Sequence, residues 1–390
     1  MKHCIYCNQE KTAESFSDEH IWPNALGGDF LPRDIWRTDA VCQTCNSLSG
    51  VFVDADFIRS WMVKAEASWC ALEYLAGKGK PSPIPLNFIG QVAKLPVPVG
   101  HVAEYWAGPC GANILHIRPD SGEAQWATYA GGDPRAKKSR AGRAYMSLTS
   151  ENEFWILVSL ASFQRHFDRA ERFVVNMEIP AQWPFKNPDR NNAVQADDMR
   201  TVDAFDEAAK SGRGVNARYV GRLDLGTRML AKLGLAVGYN LFGDRFLEID
   251  YAKVLRRGFR EANAERRRDL EVHGSAYLHG KGLGGVEDML TWPGGWVLML
   301  KDVGEKLALT VISPSGKVMV IQVCDEPALL SCLNSSYDDG VVWITVPAAQ
   351  EAVGPLSLPD YVAHRTGNLL NQKLSDLFSK LGDPTTLPAC

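Results

Sequence analysis

Glu19 and His20 set a carboxylate directly before an imidazole in this 390-residue chain, types that could move a proton beside a charge. They lie between two cysteine pairs, Cys4-x2-Cys7 and Cys42-x2-Cys45, and Asn46 follows the second pair directly. A neutral imidazole can deprotonate water near pH 7, and a hard divalent cation can stabilise charge on a leaving oxygen. Carboxylate and amide oxygens suit Mg²⁺ or Mn²⁺, whereas four thiolates select Zn²⁺. Two metals with two jobs are therefore expected: a structural zinc on Cys4, Cys7, Cys42 and Cys45, and a hard divalent cation where the fold brings Glu19, His20 and Asn46 together.

These groups converge only if the fold brings them together, since 26 positions separate His20 from Asn46. Ile21 to Gly28 (IWPNALGG) contains a proline and a Gly-Gly turn, which suits a β-hairpin. After the second knuckle, Phe57, Trp61, Ala65, Trp69 and Leu72 recur at helical spacing. A hairpin followed by a helix, pinned by zinc, makes a small ββα unit.

With C-x2-C, Glu-His-Ile-x-Pro, Gly-Gly and Val-Cys-x2-Cys-Asn in place, residues 1 to 60 resemble the HNH endonucleases, the ββα-metal nucleases, in their four-cysteine form. The resemblance implies His20 as general base and Glu19 and Asn46 as ligands of the catalytic cation. It departs from the family in two places. Glu19 stands where Asp is commoner, and the family's middle Asn falls on Arg37, so either Asp34, Asp39 or a backbone carbonyl orients the imidazole or the ring is less well held.

Net charge is −4, and residues 1 to 60 carry five basic against nine acidic side chains. Charge to neutralise phosphates must then come from elsewhere. Arg135, Lys137, Lys138, Arg140 and Arg143 read as a mobile basic loop, and Lys253 to Arg268, with Arg256, Arg257 and Arg260, as a basic helix. Arg37 is a third expected phosphate contact. The partner is then DNA, with RNA open; a homodimer is expected if both strands are cut.

The remaining five cysteines, Cys70, Cys110, Cys324, Cys332 and Cys390, stand singly. The start lacks the apolar stretch of a signal peptide and no run is long enough to span a membrane, so a cytoplasmic protein is expected.

The fold class expected is α+β: the ββα-metal module, then a mixed α/β region, then a C-terminal antiparallel sheet. The Pro/Gly-rich run Gly77 to Pro85 is taken as a boundary, giving segments 1–77, 86–290 and 291–390. Residues 185 to 222 read as partly irregular, Leu225 to Phe242 as a helix, and Trp296 to Leu300, Leu307 to Ile312, Val318 to Val323 and Val341 to Val346 as strands before a closing helix, Tyr361 to Leu381. The leading function is a metal-dependent endonuclease whose architecture is similar to bacterial restriction and phage-defence effectors. The alternatives are a non-catalytic nucleic-acid-binding zinc module, or a nuclease gated by a small molecule or protein activator.

Overall fold

A computed structural model describes the whole chain except residues 121–141, 169, 184–193, 212–214, 219–223 and 279–286. The chain forms two compact units, Met1–Ile58 with Arg222–Lys380, and Arg59–Gly221 with Leu381–Cys390. This division differs from three consecutive segments: the N-terminal module shares a unit with the C-terminal sheet, and the chain leaves that unit near residue 58 rather than in the Pro/Gly run. Among the described residues no helix is long and apolar enough to cross a membrane.

The first unit opens with a short hairpin, β1 (Lys2–Cys4) and β2 (Gln9–Lys11), followed by β3 (Phe16–His20) and β4 (Arg37–Cys42), which pair antiparallel with His20 opposite Arg37. Helix α1 (Gln43–Ser49) follows β4 directly. The single helix expected to run from Asn46 through Leu72 is broken: Ser60 leaves helical geometry and its hydroxyl accepts from Val63 N, capping α2 (Trp61–Glu73), which lies in the other unit.

That second unit is built on a six-stranded sheet of β5 (Asn87–Val92), β6 (His101–Ala107), β7 (Asn113–Pro119), β8 (Arg143–Ser147), β9 (Arg172–Val175) and β10 (Ala217–Arg218), in the order β10-β5-β6-β7-β8-β9. Helix α3 (Glu153–His166) lays Ile156, Leu160 and Phe163 on Trp106, Ile114 and Phe173. The polar section expected to be irregular contains α4 (Ala196–Lys210), whose Val202 and Phe205 pack on Leu115 and Tyr145. Arg143, expected in a mobile loop, lies on β8 and forks onto Asp198 of α4. Arg135, Lys137, Lys138 and Arg140 lie outside the described residues. Cys110 and Cys390, read as single, form a disulfide.

Glu104 on β6 is fully buried and binds His116 Nδ1 at 3.0 Å and Arg118 Nε at 2.8 Å on β7. Burial alone would raise its pKa; His116 and Arg118 outweigh that and hold it at about 2. A depressed carboxylate contributes stability above its unfolded pKa and loses it as pH falls toward the folded value. Glu104→Gln is expected to cost about 3 kcal/mol at neutral pH. The deficit relative to the parent should shrink as pH falls from about 4.5 to 2. Denaturant unfolding of the full chain at stepped pH measures both, and a pH-independent deficit would exclude this ionisation as the cause.

The first unit resumes with α5 (Asp224–Phe242), α6 (Asp250–Arg260) and α7 (Ala264–Arg268). The one basic helix expected across 250–270 is thus two, parted at Glu261–Asn263. Gly234 and Gly238 permit close packing on α5: a Cβ on Gly238 would sit 2.2 Å from the Phe246 ring. Six antiparallel strands follow: β11 (Gly274–Leu278), β12 (Trp296–Asp302), β13 (Leu307–Ile312), β14 (Val318–Cys324), β15 (Val341–Val346) and β16 (Glu351–Ser357), in the order β11-β14-β13-β12-β15-β16. The closing helix is two shorter ones, Leu358–Arg365 and Gln372–Ser379, interrupted at Gly367 with φ +77°. Trp292 and Trp296 are buried.

Candidate active site and zinc cluster

The sulfurs of Cys4, Cys7, Cys42 and Cys45 all lie within 4.8 Å of one another. β1 ends on Cys4, β4 ends on Cys42, and α1 places Cys45 one turn later. Contact with Cys45 draws the Cys4 thiol down to about 4, and the same contact pushes Cys45 up. Cys42 N donates to Cys4 Sγ at 3.3 Å, and Lys11 Nζ donates to Cys42 Sγ at 3.2 Å. Four clustered sulfurs with N–H donors aimed at two of them fit a tetrahedral Zn²⁺, as their composition requires.

On β3, side chains alternate. Asp18 is exposed, Glu19 is buried and His20 is partly exposed, so Asp18 and His20 share the outer face. His20 Nε2 meets Asp29 Oδ1 at 2.8 Å. If Nε2 carries the hydrogen donated to Asp29, Nδ1 keeps the lone pair a base needs. Asp29 is carried back to β3 by the Gly-Gly turn. Gly27 has φ +95°, and a Cβ on Gly28 would lie 1.9 Å from Trp22 O, so this tight return tolerates no side chain there. Thr345 Oγ1 and Trp22 Nε1 both donate to Leu26 O, fastening the turn to β15.

Asp29, not Asp34 or Asp39, therefore orients the imidazole. Asp34 accepts from the neighbouring Ile35 N, and Asp39 pairs with Lys2. Arg37 donates to Asp29 Oδ1 at 2.7 Å and to Asp18 Oδ2 at 3.0 Å; Arg33 also binds Asp18. Arg37 is thus engaged by two carboxylates rather than presented to phosphate. Asn240 of α5 donates to the carbonyls of Ile35 and Arg37, fixing the start of β4. Asn46 donates its amide to Ser17 Oγ and Asp18 O, both at 3.0 Å, joining α1 to β3. Its Oδ1 accepts no hydrogen bond among the described residues.

Glu19 goes the other way. It is 3% exposed and pairs with Lys232 Nζ at 2.8 Å and Tyr6 OH at 3.1 Å. Lys232, on α5 and fully buried, also grips Asp54 at 2.7 and 2.8 Å and reaches the His20 carbonyl at 3.4 Å. Burial works against the Lys232 ammonium, yet Asp54 and Glu19 hold its pKa above the ordinary value, and burial pushes Glu19 up. The structure brings His20 and Asn46 to one strand and sets Glu19 behind it.

Residues 4–62 match the HNH endonuclease family model. The matched module contains both knuckles, the hairpin and the Asn46 helix in the order described. No curated protein and no solved structure matches the chain. Of the residues around His20, sequence reasoning missed Asp18, Asp29 and Lys232. Strand alternation pointed to Asp18, and the position of Asp29 just after the glycine turn was a usable signal.

Proposed function

We propose that this protein is a metal-dependent nuclease that hydrolyses phosphodiester bonds in DNA, with His20 as general base. The observation that carries the reading is the chain of contacts His20–Asp29–Arg37–Asp18 on the exposed face of a zinc-pinned hairpin. Asp29 fixes the ring and stabilises the imidazolium once Nδ1 has taken a proton from water. Arg37 holds Asp29 in place and, with Arg33, balances the charge of Asp18 and Asp29, so an incoming phosphate meets a locally neutral face. Asp18 and the free Oδ1 of Asn46 are the oxygen donors on the His20 side that would hold Mg²⁺ or Mn²⁺; Glu19 is committed to Lys232. The cation, when bound, supplies charge stabilisation at the leaving oxygen. A restriction or phage-defence role is part of this proposal on architecture alone.

A second reading, a nucleic-acid-binding zinc module without hydrolysis, is favoured by one observation: Arg37 and Arg33 already occupy the carboxylates a cation would need. The two separate in a cleavage panel of supercoiled plasmid, modified DNA and RNA, run with and without Mg²⁺ or Mn²⁺, with zinc measured on the same sample. Nicking that requires the added cation at full zinc occupancy is expected. Tight binding with no cleavage under any divalent cation would establish the second reading instead.

A further inference from the structure

Helices α6 and α7 frame a cleft of about 700 Å³ lined by Arg256, Arg257, Arg260 and Arg266, with Glu261 and Asp269 as its only acidic walls. None of these four arginines is ion-paired with a carboxylate among the described residues. Arg256, 8% exposed, donates Nε to Ile5 O, and its Nη2 is buried without a hydrogen-bond partner. Arg260 donates to Cys7 O at 3.4 Å, so the cleft abuts the backbone of the first zinc knuckle. Arg257 and Arg266 are exposed. Four arginines against two carboxylates leave this concave surface with an excess of positive charge, which concentrates anions.

We infer that this cleft is a phosphate-anchoring subsite that holds the backbone of the nucleic-acid strand away from the bond being cut. The inference rests on the nuclease reading for the identity of its ligand. Guanidinium forks suit phosphate oxygens, and the acidic balance of residues 1 to 60 makes an anchor outside the matched module necessary.

The test measures binding of a fluorescent 24-base-pair DNA duplex against salt, in a His20→Ala background so that no cleavage intervenes. Arg257→Gln with Arg266→Gln is expected to make the slope of log K against log salt shallower by about 1.8, roughly 0.9 for each phosphate that is no longer neutralised. Arg257→Lys with Arg266→Lys should restore the parental slope. Arg268→Gln with Lys306→Gln, an equal charge change at exposed positions outside the cleft, should leave it unchanged. An unaltered slope in the Arg257/Arg266 variant at full zinc occupancy overturns the proposal, as does an equal drop in the control. ATP bound through Arg257 and Arg266 with no effect on the DNA slope would make the cleft a free-nucleotide site and also overturn it. Because the readout is binding, a His20→Ala protein that still cleaves would remove the catalytic assignment and leave this result standing.

Discussion

His20→Ala is expected to slow plasmid nicking by roughly 10²- to 10⁴-fold, the span over which a positioned general base contributes. The ring is partly exposed at the edge of β3, so its loss opens no core cavity, and zinc content and fold should match the parent. Asp29→Asn provides the companion measurement. An asparagine can turn its amide N–H toward Nε2, which forces the ring hydrogen onto Nδ1 and removes the base's lone pair. Its loss should approach that of His20→Ala despite an intact histidine. If His20→Ala, folded and zinc-loaded, cuts as fast as the parent, the assignment is wrong.

Cys42→Ser is expected to drop zinc from one ion per chain to near none and to melt the β3–β4 hairpin. Apparent binding energies of structural zinc run to about 10–16 kcal/mol, much of it appearing as folding energy. Cys42 closes β4, starts α1, and receives the Lys11 ammonium on its sulfur, while its own N–H is tied to Cys4. Serine is a poorer ligand and cannot share the thiolate charge. Zinc stoichiometry and amide exchange across Arg37–Cys42 report the change; full zinc retention with protected β4 amides would exclude the four-sulfur site.

The knuckles, the hairpin, the Asn46 helix and the antiparallel sheet were legible because each rests on local spacing: C-x2-C, period-two runs, a Ser-Gly turn. Glu19 lies off the His20 face for an equally local reason. Alternation along β3 puts adjacent Glu19 and His20 on opposite faces, and the carboxylate sharing the His20 face is Asp18. Lys232 carried a signal of its own, a single ammonium within the otherwise apolar stretch Met229 to Ala236, a setting that buried lysines occupy only when paired. Its partners could not be named, because nothing near Lys232 in the sequence records that α5 packs against strands more than two hundred residues earlier. The expected boundary at 77 to 85 differs from the division into compact units near residue 58, since proline and glycine mark where a chain bends, not whether it later returns.

Lys232 has a consequence for anyone who would excise the module matched by the HNH family. A fragment trimmed to residues 4–62 keeps Glu19 and Asp54 but discards the ammonium between them, leaving two acids to repel each other beneath the histidine strand. Adding zinc would mend the knuckles and not that floor. Transplantable activity is therefore expected only from pieces that bring α5 along.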